Sequence, residues 1–173
     1  MKVLHLEENH PALIKGLQVL GIENDLAYED SLDEVLAKLD QYEGLIIRSK
    51  YPIDRTFVAQ AKKLKFIGRV GAGLENIDIE AVQAQNIHLL NAPEGNRNAV
   101  GEHALGMLLS LFNKLHTADL EVRKGKWDRE GNRGIELDGK IVGLIGFGNN
   151  GSSFAKKLRG FDVEVIAFDK YKS

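Results

Sequence analysis

With 173 residues, 43% of them apolar, and a formal charge of −2 at pH 7, the chain can bury the core of one ordinary domain or parts of two, and it offers no electrostatic case for nucleic acid or an anionic membrane as a partner. The absence of cysteine excludes disulfide scaffolds, thiolate metal sites and cysteine nucleophiles, and it fits a cytoplasmic protein. The apolar stretch over residues 2–6 is too short for a signal peptide, and no apolar run approaches the roughly 18 residues of a membrane span.

In chain order, strand-like runs are expected over residues 2–6, 25–28, 44–48, 66–70 and 87–91, with helical patterns between them. Residues 11–20 carry Leu13, Ile14, Leu17 and Leu20 at helical spacing, and Ser31 suits the cap of a helix bearing Leu32, Val35, Leu36 and Leu39. Two further helices are expected over 54–64 and 78–85, each opening on an aspartate. Such alternation predicts a doubly wound parallel sheet covered by helices on both faces, here assigned to residues 1–95. Turn residues at 91–96 mark a boundary. Beyond it, one long apolar-faced helix is expected over 99–123, about 37 Å at about 1.5 Å per residue, long enough to join two domains or to form a dimer interface. Residues 124–140 read as a surface loop around Trp127.

The apolar run 141–145 then feeds Gly146-Phe147-Gly148-Asn149-Asn150-Gly151, a G-x-G-x-x-G turn followed by a helical pattern over 152–159 and a second strand over 163–168 that ends at Asp169. In this context Gly146 permits the tight turn, Gly148 lets backbone approach a pyrophosphate, and Gly151 allows close packing of the helix. The helix start, with Asn149 and Asn150, supplies amide groups and a favourable dipole for phosphates. A carboxylate at Asp169 accepts ribose hydroxyls and repels a 2′-phosphate, which favours NAD over NADP; Lys170 and Lys172 weaken that preference. The plainer alternative is a glycine-rich turn with no ligand.

Four landmarks stand in order: Arg48-Ser49, the glycine-rich run over 68–78, the segment 91–102, and the 146–151 turn. Together they resemble the D-isomer-specific 2-hydroxyacid dehydrogenases over nearly the whole chain. The resemblance implies a flavodoxin-like α/β lid and substrate-binding domain over 1–95, followed over 96–173 by the opening part of a Rossmann NAD-binding domain, with substrate held between the two. It assigns Arg48 and Ser49 to the anionic groups of a small 2-hydroxy or 2-oxo acid. A guanidinium at a strand's carboxyl end can grip a carboxylate or phosphate with two parallel bonds, and Lys50 can assist. By the same resemblance the Gly71 N–H helps hold the carboxylate and Asn96 faces the substrate. Without the resemblance, a surface ion pair is the lesser alternative for Arg48, and a helix cap is an equal one for Asn96 or Asn98.

The chain departs from the pattern at Ala72, which lacks a hydroxyl that reaches the cofactor, at Asn98 in place of Ser or Thr, and at Asn150 in a usually apolar position. Asn150 either tolerates exposure beside the pyrophosphate or weakens helix packing. His103 lies on the expected helix and reads as structural, and His5, His10, His88 and His116 lack metal-ligand spacing. The acid–base residues that family members carry further along have no counterpart, so no catalytic residue is assigned and the chain is expected to be an inactive N-terminal portion of a homodimeric enzyme that pairs through the 99–123 region. The alternatives are a non-catalytic NAD-sensing module of the same fold, or a fold of this type that takes another adenosine ligand such as S-adenosylmethionine.

Overall fold

The computed structural model describes residues 1–171, which divide into two compact units, Met1–Pro93 and a second from Glu94 onward. The first unit alternates β1 (Lys2–His5), α1 (Pro11–Val19), β2 (Glu23–Leu26), α2 (Leu32–Lys38), β3 (Gly44–Ile47), α3 (Arg55–Gln60), β4 (Phe66–Arg69), α4 (Ile79–Ala84) and β5 (His88–Asn91). All pairings are parallel, in the order β2-β1-β3-β4-β5. This is the flavodoxin-like order, and its direction reverses between β1 and β3, the position where open α/β sheets bind ligands.

Helix starts are fixed locally. Ser31 and Glu34 form a reciprocal capping box at α2, while Asp54 and Asp78 accept the third backbone amide of α3 and α4. On one face of the sheet Leu4, Leu6, Leu45, Ile47 and Ile67 pack with Val35, Leu39, Phe57, Val58 and Val82. On the other face Val3, His5 and Ile46 are also buried. β2 begins two residues before the expected run because it is an edge strand held by polar side chains: Lys2 pairs with Asp25 at 2.8 Å and Glu23 at 3.4 Å, and His5 bonds Asn24.

The second unit holds α5 (Arg97–Phe112), α6 (Leu115–Arg123), β6 (Ile141–Ile145), α7 (Asn149–Leu158) and β7 (Glu164–Phe168), with β6 and β7 parallel. The single helix expected over 99–123 is in fact two. The chain breaks at Asn113 and Lys114, where Lys114 adopts φ 51°, and the apolar pattern runs through the break without interruption. The later loop closes onto this corner: Ile135 N–H donates to the Phe112 carbonyl at 2.9 Å, and Lys114 Nζ donates to the Gly131 carbonyl at 2.8 Å. These bonds offset the cost of about 1–2 kcal/mol for a left-handed non-glycine residue. α5 packs on α7 at Gly101, where a Cβ would lie 2.9 Å from Ser153 Oγ and 3.2 Å from the Phe154 nitrogen. No described helix is long and apolar enough to cross a membrane.

His5 gives the first unit a pH dependence. Asn24 donates its amide to the Ile22 carbonyl, so its oxygen faces His5 and the imidazole must donate from Nε2, at 2.8 Å. Nδ1 is then an unprotonated nitrogen, buried without a partner, and protonating it would bury an N–H with no acceptor. Burial lowers the His5 pKa, only partly offset by the Asn24 bond. A group whose folded pKa lies below its unfolded value contributes stability above the unfolded pKa and loses it as pH falls through the folded one. Thermal unfolding is therefore expected to show stability declining as pH drops below about 6.5. A His5→Leu variant should flatten that decline above the range where carboxylates titrate. Parallel curves for the two proteins would refute the assignment.

Candidate functional site

In the second unit β6 ends in a turn built from backbone. Gly146 adopts φ 93°, which favours glycine, and its N–H donates to the Phe168 carbonyl at 2.7 Å, tying the turn to the end of β7. A Cβ on Gly151 would collide with the Gly146 carbonyl oxygen, so the third glycine is required where α7 passes over the end of β6. A Cβ on Gly148 would meet nothing within 4 Å. Gly148 is also the N-cap of α7 and makes no side-chain cap bond, so the first amides of the helix, at Asn149, Asn150 and Gly151, have no cap acceptor. Backbone closed on one side by Gly151 and open on the other at Gly148 suits a diphosphate lying against a helix start.

Asp169 lies beside this turn. Its Oδ2 accepts the Phe147 N–H at 2.6 Å and its Oδ1 accepts the Tyr171 N–H at 2.8 Å, which fixes the carboxylate next to the glycine turn. Asn150 is exposed, so its polarity does not disturb the packing of α7. Lys170 is exposed with its ammonium over the Tyr171 ring, and Lys172 lies outside the described residues.

In the first unit the polar residues gather at the carboxyl ends of β3 and β4. Arg48 and Ser49 are exposed immediately after β3, at the reversal of strand order. Their amides and that of Lys50 all donate to Glu7 Oε2, at 2.6, 2.7 and 3.0 Å. Lys50 is not available to assist a ligand, because its ammonium donates to the carbonyls of Tyr28 at 2.5 Å and Asp30 at 2.9 Å.

Gly71 also differs from expectation. Its N–H donates to the Arg69 carbonyl at 2.9 Å, so it is not presented to an anion in this conformation. The Arg69 guanidinium occupies the space a Cβ at residue 71 would fill, and Arg69 Nε is buried without a partner. Gly71 thus makes room for a second guanidinium at the same sheet edge. Neither Arg69 nor Glu7 is marked by the sequence. An arginine inside a strand and an acid after one carry no motif.

Asn96 occupies the N-cap of α5 but makes no side-chain cap bond and is exposed. Asn98 is not a cap either. Its Nδ2 donates to Glu102 Oε1 at 2.8 Å, and its Oδ1 accepts from Lys157 of α7 at 2.7 Å. His103 is exposed on α5.

A flavodoxin-like unit with a cationic strand edge, followed by a strand–glycine turn–helix–strand–acid unit, is the pattern of α/β proteins that carry a dinucleotide-binding turn. The family model for the D-isomer specific 2-hydroxyacid dehydrogenase catalytic domain matches residues 3–168, and the chain belongs to that family. It is 37% identical over 173 residues to the D-3-phosphoglycerate dehydrogenase of Archaeoglobus fulgidus, covering 100% of this chain and 33% of that protein. With the Sus scrofa enzyme of the same name it shares 36% over 154 residues, covering 89% and 28% of the two chains. Among solved structures it resembles the NAD+-bound 3-phosphoglycerate dehydrogenase of Entamoeba histolytica, with TM-score 0.74, 27% identity, and coverage of 100% of this chain and 55% of that one. It also resembles the NAD-dependent formate dehydrogenase of Staphylococcus aureus in complex with NAD, with TM-score 0.79, 25% identity, and 99% and 57% coverage. The chain spans about a third of the length of the curated relatives it matches.

The two glycines make different predictions for stability. Gly148→Val adds a side chain where the fold has room, so the melting temperature should hold while NADH binding, read by nicotinamide fluorescence, is lost. Gly151→Ala forces the backbone apart and should lower both. A Gly148→Val chain that binds NADH as well as the parent would remove the turn from the cofactor site.

Proposed function

We propose that this chain supplies the substrate-binding unit and the adenosine-diphosphate cradle of an NAD-dependent D-2-hydroxyacid dehydrogenase that oxidises 3-phosphoglycerate in serine synthesis. The observation that carries the reading is the constellation of Gly146, Gly148, Gly151 and Asp169: a cradle open to a diphosphate, with a carboxylate held beside it where ribose hydroxyls would lie. Asn149 and Asn150 donate from the first turn of α7, and Asp169 repels a 2′-phosphate, which favours NAD. When bound, the nicotinamide accepts the hydride from C2 of the hydroxy acid.

The chain's own residues bind and orient. Arg48 fixes an anionic group of the substrate through parallel N–H bonds, Ser49 adds a hydroxyl, and Asn96 offers an amide that no cap bond engages. Gly71 contributes by admitting Arg69 rather than through its own N–H. Both curated relatives carry the phosphoglycerate name, and two guanidiniums at one sheet edge suit a substrate with carboxylate and phosphate groups.

No residue of the chain is assigned as the base that takes the hydroxyl proton, so the chain alone is proposed to bind without turnover. A homodimer through α5 and α6, which expose the apolar side chains of Met107, Leu111 and Leu115, and a cytoplasmic location belong to the same reading.

Incubating the 173-residue chain with NAD and 3-phosphoglycerate should give no NADH above background, whereas turnover would overturn the division of labour. By titration, 3-phosphoglycerate should bind. Arg48→Ala should weaken it roughly tenfold or more, since a charge-assisted hydrogen bond contributes about 1.5–3 kcal/mol, and NADH affinity should not change. A chain that takes up S-adenosylmethionine in preference to NADH would contradict the cofactor assignment.

A further inference from the structure

β3 ends its pairing at Ile47, and the next three amides turn together toward one point. Three successive N–H groups in this arrangement form a concave patch of positive partial charge that binds anions. Left open, it would draw a substrate's carboxylate down onto backbone and away from the guanidinium of Arg48. Here the patch is filled from within by Glu7, whose Oε2 accepts all three bonds within 3.0 Å.

We propose that Glu7 is a positioning residue: its carboxylate locks the turn after β3 so that Arg48 and Ser49 point outward as the substrate's partners. This inference rests on the assignment of Arg48 and Ser49 to the substrate. Glu7 is well placed to act as the lock. It follows Leu6, which is fully buried and whose N–H donates to the Ile46 carbonyl at 2.9 Å, so the end of β1 cannot drift from the end of β3.

The lock also sorts the side chains of the turn. Lys50 is drawn back onto the Tyr28 and Asp30 carbonyls, and Arg48 and Ser49 are left exposed. Burial acts to raise the Glu7 pKa, but the bonds from Lys50, Arg48 and Ser49, helped by the Arg48 charge, outweigh it and hold the carboxyl below its usual range. The clamp therefore stays charged at neutral pH and exchanges no proton there.

Coulomb's law gives the proposal a sign that a simple charge effect does not share. Glu7 puts a negative charge near an anion site, so removing it should tighten anion binding if the charge is all that matters. It should tighten binding too if Glu7 merely occupies a place that the ligand needs. As a lock, Glu7→Ala should instead weaken 3-phosphoglycerate binding to the 173-residue chain by at least about fivefold. Glu7→Gln, whose side-chain oxygen still accepts, should restore most of the loss. Unchanged or tighter binding by Glu7→Ala overturns the proposal.

Amide resonances of the unmutated chain provide a measurement that does not depend on the variant's folding. The Arg48, Ser49 and Lys50 amides should titrate together with the Glu7 carboxyl in acid and stay in place when 3-phosphoglycerate is added, while the Arg48 side-chain resonance moves. Amides that ignore the Glu7 titration, or that shift as the ligand binds, sink the idea. The companion variant separates the two assignments. Arg48→Ala binding like the parent removes the substrate role itself, whereas a loss in Arg48→Ala with none in Glu7→Ala removes Glu7 alone.

Discussion

Burial of β3 on both faces is the constraint that organises the first unit. All four residues, Gly44–Ile47, are buried, and β1 and β4 pair on either side. Gly44 itself has no room for a side chain, since a Cβ there would press on the Phe66 ring and on Val3. A strand enclosed in this way has polar contact with solvent only where it ends. Parallel pairing then sends every strand's carboxyl end to the same edge, and the reversal of order between β1 and β3 leaves no helix crossing directly between those two ends. Glu7 and Arg48 meet there as a consequence of topology. They are 41 residues apart in sequence.

The second unit meets a similar problem with the opposite solution. At the end of β3 the amides are satisfied by the protein's own carboxylate, which leaves side chains as the groups that face outward at that edge. At the start of α7 the N-cap is a glycine with no cap bond, so the unpaired donors are backbone and remain oriented by the helix. A diphosphate suits the second arrangement because it can approach backbone closely where Gly148 has no Cβ. In the proposed reading a smaller acid with carboxylate and phosphate ends suits the first, because guanidiniums discriminate by planar geometry. Both arrangements use the same elementary fact, that chain ends of regular structure leave N–H groups unpaired.

How much of this was legible in sequence follows from how local each cause is. Ser31, Asp54 and Asp78 cap helices through bonds three residues long, and the apolar strands announce themselves by composition, so these elements stand close to where they were expected. β2 was displaced because its pairing depends on Lys2 and His5, far away in sequence. The break between α5 and α6 was invisible because Leu111, Phe112 and Leu115 keep the apolar stripe continuous while a distant loop supplies the bonds that stabilise the corner. Gly71 was expected to offer its amide to an anion; in this conformation that N–H donates to the Arg69 carbonyl, and the Arg69 guanidinium lies in the space its missing Cβ leaves open. Glu7 had no sequence signal at all, since one acid after one strand is unremarkable until topology brings three amides to it.

The glycine turn was the most legible feature, yet what supports it lies outside the motif. In the second unit the buried apolar side chains among the described residues are Leu137 and Leu158, and the β6–β7 ladder leaves Ile145 96% and Phe168 69% exposed. Two strands with so little covered surface contribute little hydrophobic stabilisation of their own. The position of α7 must then depend on its other contacts: the close approach of Gly151 to the Gly146 carbonyl, and the packing of Gly101 of α5 against Ser153 and Phe154. Asn98 and Glu102 both bond the Lys157 ammonium across those helices, adding polar restraints where Lys157 is mostly covered. Asn98 thus acts on the glycine turn by holding α7 to α5. It need not touch a ligand to shape the site.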